Sequence, residues 1–389
     1  MFIHNNYASD NTGEEHAAGA LADMLSVNGH KVEWYRRSSA ELINSPIKRA
    51  AAFFTAILNP GAVLHVKEKI REFKPDIVQV QNLYPVISPR VLKVIKSAGL
   101  PIVMRCPNYR LFCPTGLFFD SGNAICEKCT GPGKEWWCIK KNCTGSPVKS
   151  VGYALRNFVA RITGVFNKYV DIFIVQSQFQ KHKFIELGIP EHKIGILPGI
   201  TPEIKTDTSL HVGKYITFVG RVSPEKGIDD FIEAAKRLPD LKFAIAGEVP
   251  DGVEYDSPSN VEWKGFLKGE VLDDLYRQSQ VIVVPSRWYE GFPNVVTRAM
   301  AHAIPVITTN IGVFPEIVTN SCGLTYSPGD IEELVTCIQK ICKDIELAGI
   351  MGEAGKHRAL NDFSKGVIYD LLIRIYGQAK MHADGRSAL

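Results

Sequence analysis

The stretch Tyr215-Ile216-Thr217-Phe218-Val219-Gly220-Arg221-Val222-Ser223-Pro224-Glu225-Lys226-Gly227 decides the fold class. Its first five residues form a short run of apolar, β-branched and aromatic side chains, which reads as a buried strand. Glycine and proline then interrupt the run, and Gly227 to Arg237 continues at helical spacing. A strand that passes through a tight loop into a helix opens a βα unit. At such a junction the free amides and positive dipole of a helix start gather beside Arg221 and Lys226, a setting suited to a diphosphate. A surface turn with two solvated cations is the plainer alternative.

The same rhythm extends outward. Asp76–Val80, Pro101–Met104, Lys242–Ala246 and Val281–Pro285 read as strands, with Ser88–Ala98 helical in spacing. Such alternation predicts α/β architecture with parallel sheets covered by helices. A chain of 389 residues exceeds one ordinary core, and a length of roughly 100–200 residues per domain predicts two or three domains, of which two is the working count, each Rossmann-like by its strand–helix alternation. The expected boundaries are 1–200 and 201–361, with a hinge at Pro198-Gly199-Ile200-Thr201-Pro202 and a Cys-rich insertion over 106–147. Open α/β sheets bind ligands beyond the carboxyl ends of their strands, so two facing domains would create a central cleft for two substrates.

Composition removes several classes. Apolar residues at 45% and charged residues at 22% describe an ordinary globular protein. A net charge of +4 without a run of five Lys/Arg gives no nucleic-acid footprint. The N-terminus lacks the basic and apolar segments of a secretory signal, which predicts a cytoplasmic chain. The apolar Ala50–Val66 window is interrupted by Asn59, Pro60 and Gly61 and falls short of the ~18 residues that a membrane span needs.

Two further strand-end loops carry polar chemistry. In Pro285-Ser286-Arg287-Trp288-Tyr289-Glu290-Gly291-Phe292-Pro293-Asn294 the Glu290 carboxylate can accept hydrogen bonds from sugar hydroxyls, while Gly291, Phe292, Pro293 and Asn294 bring backbone to a helix start. Asn310 to Glu316 repeats the arrangement, with helix capping as the alternative role for Glu316.

Together these elements resemble glycosyltransferase family 4. Further marks are Gly13-Glu14-Glu15, Gly29-His30-Lys31-Val32, Asn108 to Pro114, Gly247 and Pro315-Glu316. The resemblance covers nearly the whole chain. It implies the two-domain GT-B fold, with a C-terminal helix over 362–378 crossing back to the first domain, and sugar transfer with retention at the anomeric carbon. It assigns Arg221 and Lys226 to the leaving diphosphate and Glu290 to the donor sugar. Gly13 would let backbone approach donor or acceptor, and Gly220, Gly247, Gly291–Asn294, Arg298 and Glu316 would complete the donor site. The implied partners are a nucleotide sugar and a glycan or lipid-linked acceptor of polysaccharide or cell-envelope assembly. No Asp-x-Asp occurs in the chain, so the carboxylate pair that would hold a catalytic metal is missing and the cations take that role.

The match also fails in places. The family usually places a second Glu eight positions after the first, where this chain has Arg298, which can pair with Glu290 or add a cation near the phosphates. Relatives tend to have histidines where this chain has Gln79, Gln81 and Pro107. A catalytically degenerate binding protein therefore stays open, as does a nucleotide-sugar epimerase, which would need an acid/base pair beside the sugar.

Six of the nine cysteines lie between Cys106 and Cys143. Cys113, Cys126, Cys129, Cys138 and Cys143 are candidate ligands for a structural zinc, or free thiols of an acceptor-side loop. Lys149, Arg156, Arg161 and Lys168 punctuate an apolar stretch that includes Tyr153, Leu155, Phe158 and Ile162. A basic amphipathic helix there either rests on an anionic membrane or packs into the domain with its cations solvated, the commoner outcome.

Overall fold

A computed structural model describes residues 1–7, 13–42, 55–204, 213–250 and 252–385. Residues 50–54 of the apolar window lie outside them. The chain divides into two compact units. One comprises Met1–Ser121, Cys126–Pro198 and Ile368–Leu389; the other comprises Gly199–Val367 with Gly122–Ile125.

The first unit holds strands β1 (Phe2–Asn6), β2 (Trp34–Ser38), β3 (Val78–Asn82), β4 (Ile102–Arg105), β5 (Ile172–Val175) and β6 (Ile194–Ile196). They form one parallel sheet in the order β2-β1-β3-β4-β5-β6. Its four inner strands are almost wholly buried, as parallel strands covered on both faces must be. A long helix, Lys365–Ala383, ends the described chain. From Ile368 onward it belongs to this unit: Tyr376 Oη donates to Gln79 Oε1, Tyr369 Oη bonds His30 at 2.9 Å, and Ile375 packs against Gly195. The Gln79 amide oxygen, at a position where relatives tend to have histidine, serves this packing.

The second unit repeats the plan with β7 (Tyr215–Val219), β8 (Lys242–Ala246), β9 (Val261–Gly265), β10 (Ser279–Val284), β11 (Val306–Thr309) and β12 (Gly323–Tyr326). All pairings are parallel, in the order β12-β11-β10-β7-β8-β9. The period of two along β10 sends Val281 and Val283 into one core and Ile282 and Val284 into another. The chain winds outward from β7 through β8 to β9, then returns to β10 on the other side of β7. The crevice between β7 and β10 is thus a topological switch point, where open α/β sheets place their ligands. No helix among the described residues is long and apolar enough to cross a membrane.

Candidate active site

Both loops singled out above emerge at that switch point. After β7 the chain turns through Gly220, at φ +150, into a short 3-10 turn, Pro224–Lys226. Gly227, at φ +73, then starts the helix Ile228–Arg237. Glycine is required at Gly227 twice over: its φ is left-handed, and a Cβ would overlap the Pro285 carbonyl oxygen. A Cβ at Gly247 would likewise overlap the Gly220 carbonyl oxygen. Backbone contacts this close lock the loops after β7, β8 and β10 together. Arg287 adds a cross-tie: its amide donates to Glu225 O at 2.9 Å, and its guanidinium pairs with the buried Asp230 on the Ile228–Arg237 helix.

The lock places Lys226 Nζ 2.6 Å from Glu290 Oε1. Ser286 Oγ donates to the same oxygen at 2.7 Å and Trp288 Nε1 at 3.0 Å. Glu290 is buried, and three donors on one oxygen satisfy the charge that burial would otherwise penalise. Oε2 has no protein donor among the described residues, so the carboxylate is fixed by one oxygen and presents the other. Ser286 and Trp288 had no role from sequence alone; their visible signal was only their place in the loop after β10.

Arg221 stands apart from this pair. Its side chain is 60% exposed and meets Glu225 at 2.5 Å, an exposed i,i+4 pair worth little to stability. Gly291 and Pro293 are buried, Asn294 is exposed at the start of the helix Asn294–Ala301, and the Phe292 ring packs edge-on against Phe363 at 5.3 Å. Glu316 sits on the short helix Phe314–Ile317, where its carbonyl accepts from Arg358 at 2.6 Å.

Arg298 requires a correction. It does not pair with Glu290. Its Nε donates to Asp273 Oδ1 at 2.9 Å, and His302 Nε2 lies at the same distance from that oxygen. His302 stacks on Tyr276 with ring centroids 5.3 Å apart. Arg298 and His302 share one side of their helix, four residues apart, and both meet the helix Gly269–Arg277. Burial raises the Asp273 carboxyl, but the bonds from His302 and Arg298 outweigh it and its pKa is lowered. Burial lowers His302.

In the first unit Gly13 opens the helix Gly13–Val27 and is exposed; a Cβ there meets nothing within 4 Å, so packing within the chain does not demand glycine. At the ends of β3 and β4 a polar basin forms. Arg110 donates to Tyr7 Oη at 2.6 Å and Asn82 Oδ1 at 3.0 Å, and Tyr7 Oη donates to Glu14 at 2.8 Å. Gln81, Arg105 and Pro107 line the same basin. Among the described residues both polar atoms of Gln81 and Nη1 of Arg105 are buried without a partner.

The Cys-rich insertion carries the five cysteines named as candidate zinc ligands. All five thiols are free, and among the described residues no group of three His, Cys, Asp or Glu is arranged to hold a metal ion. The Cys143 amide donates to the Cys138 carbonyl oxygen at 3.2 Å.

Residues 202–358 match the family model for glycosyl transferases group 1. The matched region contains every element of the switch-point site. Among curated relatives, the capsular polysaccharide biosynthesis glycosyltransferase CapM of Staphylococcus aureus is 28% identical over 240 residues, covering 55% of this chain and 63% of that protein. The chain spans less than two thirds of the length of several curated relatives. Its fold is that of solved GT-B proteins. Sucrose-phosphate synthase from Thermosynechococcus elongatus superposes with TM-score 0.68 at 16% identity over 97% of this chain and 98% of that one. Anabaena HepE, solved in complex with UDP, superposes with TM-score 0.65 at 16% identity over 97% and 100%.

Proposed function

We propose that this chain is a retaining, metal-independent glycosyltransferase that moves a sugar from a nucleotide-sugar donor to a glycan or lipid-linked glycan acceptor in polysaccharide or cell-envelope assembly. The observation that carries this reading is the Glu290 carboxylate, held on Oε1 by Lys226, Ser286 and Trp288 and without a protein donor on Oε2. A fixed, half-satisfied carboxylate accepts a hydroxyl proton, which is what a donor sugar offers. Cleaving the donor's glycosyl–phosphate bond develops positive charge on the sugar and negative charge on the leaving diphosphate. In this reading the Lys226 ammonium, next to the Glu290 that would hold the sugar, stabilises that leaving charge, and the exposed Arg221 exchanges Glu225 for a phosphate. The complex of HepE with UDP shows that this fold accommodates a nucleoside diphosphate in that protein.

The degenerate reading rests on Arg298 and Pro107 together, and the structure answers only the first. With Arg298 engaged by Asp273, the Lys226–Glu290 pair is undisturbed, which favours catalysis.

The test is a panel of labelled sugar nucleotides offered to the purified protein, with release of nucleoside diphosphate as readout, with and without a chelator. Release from one donor that survives chelation is expected. Absence of both binding by calorimetry and release across the panel overturns the proposal, and interconversion of the sugar without release identifies an epimerase.

A further inference from the structure

The helix Pro147–Ile162 is built inside out. Its buried residues include Ser150, Arg156 and Asn157. They face loop backbone, not the sheet: Arg156 Nη2 donates to Pro114 O at 2.7 Å, Asn157 Nδ2 to Arg110 O at 2.8 Å, and Arg161 Nη2 to Phe112 O and Cys129 O, both at 3.0 Å. Carbonyl oxygens pack against donors, so the inner face is polar and the apolar residues are left outside. Val148, Val151, Leu155, Phe158 and Ile162 are 65%, 46%, 46%, 38% and 62% exposed. Their spacing of three and four residues aligns them in one stripe. Trp136 and Ile139 on the preceding helix, Trp136–Lys140, are also exposed.

The charge around this stripe has one sign. Residues 134–170 contain seven Lys/Arg and a single carboxylate, Glu135. Glu135 is buried and paired with Arg161 at 2.9 Å. Lys134, Lys140, Lys149 and Lys168 are exposed. Beside the stripe, a cavity of about 300 Å³ combines the apolar Leu58, Val159 and Val165 with Arg90, Lys93 and Lys168.

We propose that this face docks on an anionic phospholipid bilayer, with the stripe and Trp136 at headgroup depth and the lysines against lipid phosphates. An exposed apolar line bordered by cations matches such a surface on both counts, and an indole is at home at the water–lipid boundary. A second copy of the chain fits less well, because a symmetric contact would bring one cationic face against another with no carboxylate to meet it. The inference does not rest on the transfer chemistry, and its test contains no sugar nucleotide.

The test is flotation of the full chain with vesicles of phosphatidylcholine alone and vesicles containing phosphatidylglycerol. Binding at least ~10-fold stronger to the anionic vesicles, weakening with salt, is expected. Combined Leu155→Ser, Phe158→Ser and Ile162→Ser should weaken it at least ~10-fold, with the melting temperature retained because these side chains are exposed. Combined Lys140→Glu, Lys149→Glu and Lys168→Glu should weaken it comparably. The proposal is overturned if the native chain floats with neither vesicle or if the serine variant floats as the native chain does. A lipid-free dimer that the serine variant abolishes would also overturn it, by naming a second copy as the occupant.

Discussion

Lys226 Nζ and Glu290 Oε1 stand 2.6 Å apart, so an ion pair joins the loops that follow β7 and β10. Two charges 64 positions apart in sequence are fixed together before a ligand arrives. In Lys226→Ala, Ser286 and Trp288 still hold Glu290, so the fold should persist while transfer falls at least ~100-fold, the scale of losing one preorganised stabiliser. Steady-state transfer measured beside thermal unfolding checks this, and native turnover in the variant would remove Lys226 from the mechanism.

Gly227→Ala should destabilise the second unit by roughly 2–4 kcal/mol, because it combines a left-handed backbone with a Cβ that overlaps the Pro285 carbonyl. Denaturant unfolding followed at this unit reads the effect. An unshifted midpoint would mean that the two loops do not touch as described.

His4 gives the first unit a defined response to acid. Burial, with Arg36, Arg105 and Arg110 adding to it, lowers its pKa from 6.5 to about 4. The unfolded chain therefore binds this proton first as pH falls. Stability present above pH 6.5 is lost as the pH drops from 6.5 to about 4, by up to roughly 3 kcal/mol. The difference between native protein and His4→Gln, followed by denaturant midpoint across that window, isolates the contribution; parallel curves would exclude it.

Cys143 should be the most reactive thiol of the insertion. The hydrogen bond from Cys138 lowers it to about 7, while burial raises Cys129 to about 12. Thiolate is the reacting form, so iodoacetamide near neutral pH should modify Cys143 first, and Cys138→Ala should slow it. Peptide mass spectrometry resolves the order, and earlier labelling of Cys126 or Cys129 would contradict it.

Much of this molecule could be read from its sequence. The βα junctions at Val219–Gly220 and Val284–Pro285 announce themselves, because apolar strand runs end there at Gly or Pro. Arg221, Lys226 and Glu290 were visible for the same reason: charged residues at strand ends stand out against apolar runs. The partners of those charges were not visible. Nothing in local pattern says that Lys226 reaches across to Glu290, or that Arg298 turns to Asp273, since these contacts depend on how helices and loops pack in space. The Pro147–Ile162 helix shows the limit most clearly. Its periodicity predicts an amphipathic helix but not which face is inside, and here hydrogen bonding to loop carbonyls overrides the usual preference for apolar burial.

The glycine-to-carbonyl contacts at Gly227 and Gly247 also govern how such a chain can be recombined. Exchange of segment 220–227 with that of another protein of this fold must keep glycine at position 227, since a methyl group there would be driven into the Pro285 carbonyl oxygen, and it must meet a glycine at 247, where a Cβ would overlap the Gly220 carbonyl oxygen. The loops after β7, β8 and β10 would therefore be inherited together.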